Sequence, residues 1–147
     1  MATYVLVHGG GHGGWCYRRV ARILRAAGHD VYTPTMTGLG ERAHLVGSDV
    51  DLDLHIRDIA AVLHYEDLRD VILVGHSYGG MVITGVADRA TGRIGRLVYL
   101  DAATPVNGQS PSTWRDRSSK PSAPMARSST ASKSFCRRHP TPPCSTA

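Results

Sequence analysis

Along the first hundred residues, apolar positions fall into two alternating kinds of run. Short unbroken aliphatic runs, Tyr4-Val-Leu-Val-His8, His29 to Thr33, Val71-Ile-Leu-Val74 and Arg96-Leu-Val-Tyr-Leu-Asp101, predict strands buried on both faces. Between them lie segments with helical spacing. The first, about Trp15 to Ala27, sets Val20, Ile23, Leu24 and Ala27 on one face and Arg18, Arg19, Arg22 and Arg25 largely on the other, with Gly28 as its C-cap. The second, about Leu52 to Tyr65, carries Leu54, Ile56, Ile59, Ala60, Leu63 and His64, and Asp51 or Asp53 serves at its start. The third runs from Gly79 to Arg89. Strict strand and helix alternation with right-handed crossovers predicts an α/β fold, its four parallel strands in the spatial order 2-1-3-4.

The third strand runs directly into Gly75-His-Ser77-Tyr-Gly79, the pattern G-x-S-x-G between a strand and a helix. A strand that must become a helix within about two residues holds the turning residue in a strained conformation and pushes its hydroxyl outward. Ser77 is therefore the candidate nucleophile, and side chains at 75 or 79 would collide with neighbouring backbone. His76, adjacent to Ser77, cannot meet it in triad geometry and reads as a packing residue at the pocket rim. The glycine-rich loop Gly9-Gly-Gly-His-Gly-Gly14 after the first strand can lay backbone N–H groups against a ligand. An oxyanion developing in acyl transfer needs two such donors, and the expected pair is Gly10 N–H and Tyr78 N–H. His8 orients this loop, and His8, Gly9 and Gly11 are placed with His76 at the rim of the substrate pocket.

Gly9, Gly11 and Gly14 also satisfy G-x-G-x-x-G, which would mean a dinucleotide site. That fingerprint wants an acidic residue at the C-terminal end of the next strand. Here that strand ends in Thr33-Pro34, while Asp30 lies at its beginning. No lysine follows the glycines, so a P-loop is excluded and no cofactor is expected.

His8-Gly-Gly-Gly-His-Gly-Gly-Trp15, Thr37-Gly-Leu-Gly-Glu-Arg42, Gly75-His-Ser-Tyr-Gly79 and Tyr99-Leu-Asp-Ala102 together resemble the α/β-hydrolase superfamily. The likeness is to the branch of plant hydroxynitrile lyases, methyl-salicylate-type esterases and their bacterial esterase relatives, over residues 3 to about 109. The resemblance implies Ser77 as nucleophile and Gly10 and Tyr78 as oxyanion donors. It also implies an acid and a histidine later in the chain. Asp101, ending the last strand at the catalytic edge, is a candidate acid. Of the eight histidines only His139, in Arg137-Arg-His-Pro140, follows the elbow, and it is the remaining candidate base. His55 and His64 are expected as solvated or packed residues away from the elbow. Glu41, Arg42 and His44 are expected to fix the loop at the rim.

Charge changes the picture only beyond the hydrolase-like part. The net charge of +5 suggests nucleic acid until its placement is considered. Residues 1 to 109 hold ten Arg, no Lys and eleven acids, whereas residues 110 to 147 hold seven bases and one acid. The basic character belongs to the tail, and the body has no basic stripe with interleaved aromatics that nucleic acid would require. The same 38 residues hold ten Ser, four Thr and six Pro with no helix or strand period, so they are expected to be disordered. Either they form a genuine basic tail, or the coding frame slips near Ser110 of a GC-rich gene; the Arg-rich, Lys-free body favours the slip.

The expected organisation is thus the N-terminal part of an incomplete α/β-hydrolase domain over 1–109, and a Ser/Pro/Arg-rich tail over 110–147. No signal peptide or membrane-spanning run is read. Three cysteines, Cys16, Cys136 and Cys144, make neither a disulfide framework nor a metal spacing, and Cys16 is expected as a packed small residue. A cytoplasmic location, a small ester as the partner and no nucleic acid or membrane follow. Self-association through the last strand, an uncovered edge, is also expected. The expected chemistry is ester hydrolysis through an acyl-enzyme, impaired for lack of a positioned base. Cyanohydrin-type cleavage and a non-catalytic ligand binder are the alternatives.

Overall fold

A computed structural model describes residues 1–105. The elements are β1 (Thr3–Val7), α1 (Arg18–Ala26), β2 (Asp30–Tyr32), α2 (Leu52–Tyr65), β3 (Val71–Ser77), α3 (Gly79–Arg89) and β4 (Ile94–Ala102). All strand pairs are parallel and the sheet order is β2-β1-β3-β4, as the alternation predicts.

Period-two alternation along the central strands divides the core into two layers. Val5 and Val7 of β1 and Val71 and Leu73 of β3 face α2 and α3, where they pack with Ile56, Ile59, Leu63, Val82, Ile83 and Val86. Leu6 and Val74 point to the opposite face and meet Tyr17 and Ala21. Each fully buried aliphatic side chain contributes about 1.5–3 kcal/mol relative to exposure, so these layers fix where β1 and β3 end. Both end on one edge of the sheet, bringing the glycine loop beside the elbow. The bounds of α2 and α3 match expectation, and Asp51 caps α2 by accepting the Leu54 N–H at 2.8 Å.

The first helix differs from its expected phase. Residues Gly14–Tyr17 form a 3-10 turn, which tightens the chain before α1. The inward stripe becomes Tyr17, Ala21 and Leu24, while Val20 and Ile23 are 46% and 69% exposed and Ala27 is exposed as well. Tyr17 anchors this phase by donating its hydroxyl to the Val7 carbonyl at 3.2 Å. Cys16, beside the inward position of that turn, is exposed rather than packed. The arginine face is otherwise solvated as expected, with Arg25 donating to the Val31 carbonyl. Gly28 ends the helix at φ +83°, donating to the Arg25 carbonyl.

Among the described residues β4 pairs only with β3, and Tyr99 and Leu100 on it are exposed. No helix among the described residues is long and apolar enough to cross a membrane. The expectations for residues 106 to 147, including His139, Cys136 and Cys144, lie outside the described residues.

Candidate active site

Ser77 is the last residue of β3 and sits at φ +52°, in the left-handed region where a side chain costs about 1–3 kcal/mol. The surrounding chain enforces this conformation. A Cβ on Gly75 would lie 2.6 Å from the Gly79 carbonyl oxygen, and one on Gly79 would lie 2.6 Å from that of Val7. Strand, turn and helix approach so closely that only hydrogen fits at either position, as the sequence pattern implies. Ser77 remains half-buried, with its carbonyl accepting from Ala103 N–H at 3.0 Å.

Opposite the elbow, Gly9 packs under it. A Cβ there would stand 3.1 Å from both Ser77 Cβ and His76 Nδ1. Gly10 follows, exposed, its Cβ position 3.9 Å from Tyr78 Cβ. The two expected oxyanion donors thus lie on facing segments, and Tyr78 is the N-cap of the eleven-residue α3, whose dipole favours negative charge there. Gly11 is also exposed, at φ +73°. His76 is half-buried, with its ring centroid 6.3 Å from that of His12. His12 lies 6.0 Å in turn from Trp15, so an aromatic row flanks the loop.

His8 does not reach the rim. It is fully buried, its Nε2 accepting the Met36 N–H at 3.1 Å and its Nδ1 donating to the Gly9 carbonyl at 2.8 Å. Those two bonds orient the glycine loop, the other role expected of it. Burial, outweighing the bond to Gly9, holds its pKa below the ordinary 6.5. Gly9 is buried too, so of the four residues expected at the rim Gly11 is exposed and His76 half-buried.

Glu41 and Arg42 hold the loop as expected, whereas His44 is exposed. Thr35 accepts the Gly14 N–H and donates to Glu41, and Arg42 donates to the Thr35 carbonyl at 2.9 Å. The hydrogen bond from Thr35 holds the Glu41 carboxyl below its usual range.

His55 is placed differently from expectation. Far from standing away from the elbow, it is buried with Nδ1 2.9 Å from the Tyr78 hydroxyl and Nε2 2.9 Å from the Thr37 carbonyl oxygen. Asp58, one turn on, accepts from both Thr37 N–H and Thr37 Oγ1. Sequence reasoning missed this cluster because His55 and Tyr78 meet across 23 positions; the available signal was the i, i+3 pair of polar residues on an otherwise apolar helix stripe.

Asp101 occupies a register shift in β4, where Leu100 pairs with His76 and Ala102 with Ser77. It is exposed at φ +43° and bonds to no histidine among the described residues. Ser77 Oγ likewise makes no hydrogen bond to a histidine among them. They also contain no group of three or more His, Cys, Asp or Glu that could hold a metal ion.

Comparison with known proteins decides the family: residues 4–142 match the alpha/beta hydrolase family. The chain belongs to that family. The match runs past residue 109, where the recognisable motifs end. Among alpha/beta hydrolases, the chain is 64% identical over 110 residues to a carbendazim hydrolyzing esterase of Nocardioides sp. (strain SG-4G), covering 75% of this chain and 46% of that protein. It is 34% identical over 116 residues to a pyrethroid hydrolase of Sphingobium wenxiniae, covering 78% and 40%. Among solved structures, an extracellular alpha/beta-hydrolase from a Paenibacillus species superposes with a TM-score of 0.70 at 32% identity, over 79% of this chain and 49% of that one. The chain thus spans about half the length of the relatives it matches.

Proposed function

We propose that this chain is a serine-dependent hydrolase of small carboxylic esters that works through an acyl-enzyme without a cofactor. The observation that carries this reading is Ser77 at φ +52° between glycines that admit no side chain, packed against Gly9, with Gly10 facing Tyr78. Ser77 acts as nucleophile, and the N–H groups of Gly10 and Tyr78 receive the oxyanion. Esterase relatives, the carbendazim and pyrethroid hydrolases among them, support ester chemistry. His76, Gly11 and the His12–Trp15 row border the substrate.

A serine hydroxyl becomes an effective nucleophile only when a base within about 2.6–3.2 Å takes its proton. None of the described histidines does so, and Asp101 bonds to none of them. The hydrolase part extends over 1–109, and a Ser/Pro/Arg-rich segment over 110–147 carries His139, the one histidine left for the role. The protein is expected to turn over slowly, by attack of the Ser77 hydroxyl on an ester held by the oxyanion donors without a base positioned to take its proton. The test is hydrolysis of a short-chain nitrophenyl ester by the unaltered chain, Ser77→Ala and His139→Ala. Slow turnover lost in Ser77→Ala and kept in His139→Ala is expected. Fast turnover abolished by both changes would assign the base to His139.

A further inference from the structure

Tyr78 contributes two groups that point in different directions. Its backbone N–H belongs to the turn between Ser77 and α3, while its side chain runs back to α2. There the hydroxyl meets His55 Nδ1 at 2.9 Å, with the rings edge to face at a centroid distance of 5.7 Å. The other ring nitrogen of His55 faces the Thr37 carbonyl at 2.9 Å. A carbonyl oxygen only accepts, so Nε2 carries the proton and Nδ1 presents its lone pair to the Tyr78 O–H. Every partner of this imidazole is therefore specified.

We infer that His55 is a positioning residue of the active site: through Tyr78 it sets the oxyanion-donor turn after Ser77, and through Thr37 it locks that turn to the loop at the pocket rim. The inference rests on the reading of Tyr78 N–H as an oxyanion donor and adds a residue to that machinery. The reason is geometric. Tyr78 precedes the first helical residue of α3 and is flanked by Ser77 and Gly79, so its own side chain is the local handle that can hold the peptide against rotation. That handle ends on His55, which is only 6% exposed and rides on α2, an element fixed by Ile56, Ile59 and Leu63 in the core. Asp58, on the same helix, grips Thr37 by its N–H at 2.7 Å and its hydroxyl at 3.1 Å. One helix therefore holds both the donor turn and the rim loop, and a hole preorganised in this way stabilises charge without reorganising during reaction.

The experiment uses the full chain and His55→Leu, His55→Gln and Tyr78→Phe. The first readout needs no chemistry at Ser77: ¹⁵N spectra of the imidazole and backbone relaxation. In the unaltered chain His55 should show a protonated Nε2 and a lone-pair Nδ1, and Tyr78→Phe should move the Nδ1 resonance. The order parameter of residue 78 should fall from about 0.85 towards about 0.6 in His55→Leu and in Tyr78→Phe, with Leu73 and Ile83 unchanged. The second readout is the rate at which a fluorophosphonate labels Ser77. It should fall about tenfold in both variants with reagent affinity unchanged. His55→Gln, whose amide can donate to Thr37 and accept from Tyr78, should restore most of the rate and of the order.

If His55→Leu folds and leaves both the order of residue 78 and the labelling rate as they were, the inference is overturned. A tautomer with the proton on Nδ1 would also overturn it. If the order changes as expected while no chain labels at Ser77, the positioning role stands and the nucleophile reading fails.

Discussion

At the scale of single residues, the site combines a strained serine with buried imidazoles whose roles are set by their partners. Because Ser77 holds φ +52°, a residue without Cβ would be relieved there. Ser77→Gly should therefore be more stable than Ser77→Ala by about 1 kcal/mol in denaturant unfolding, although both lose the proposed nucleophile. Equal stabilities would mean that the turn stores no strain. His8 gives a pH signature. Its folded pKa is lowered from 6.5 by burial, so below that pH the unfolded chain takes up a proton that the folded one resists. Stability from this group is complete above 6.5 and falls as the pH drops through the window below it. The thermal midpoint should fall between about pH 7.5 and about pH 5.5, and His8→Gln should flatten that dependence; an unchanged slope would exclude His8 as its source. The elbow was legible in the sequence because Gly75, Ser77 and Gly79 obey a local steric rule. The link from His55 to Tyr78 was not, since no local rule joins residues 23 apart.

At the scale of elements, α2 and α3 were readable because each carries its own boundary signals, Asp51 at one start and the elbow glycines at the other. The phase of α1 was not. The 3-10 turn Gly14–Tyr17 shifts the inward stripe to Tyr17, Ala21 and Leu24, and a helical wheel drawn from Trp15 misses that rotation. β4 has the clearest consequence. Nothing among the described residues pairs with its outer side, and Leu100 is 51% exposed. Unpaired N–H and C=O groups along such an edge template pairing with another chain, so sedimentation should show association that rises with concentration. Leu100→Lys should weaken it, because edge charges oppose strand addition. A monomer over the whole concentration range would contradict the edge argument.

At the scale of the whole molecule, two apolar layers on one parallel sheet bring the glycine loop and the elbow together, and α2 ties the elbow to the rim loop through His55. The alternation of runs along the chain was enough to read strand order, because right-handed parallel connections leave few choices. The same arrangement separates the parts of the proposed chemistry: the proposed nucleophile and oxyanion donors lie within the described residues, and no histidine among those residues meets Ser77. The central claim is that Ser77 takes the acyl group. Mass spectrometry of the full chain after prolonged incubation with a short-chain nitrophenyl ester measures this directly. The account predicts one acyl group per chain, mapped to the peptide containing Ser77 and absent from Ser77→Ala. Nitrophenolate released equally by both chains, with no acyl group on that peptide, would contradict it.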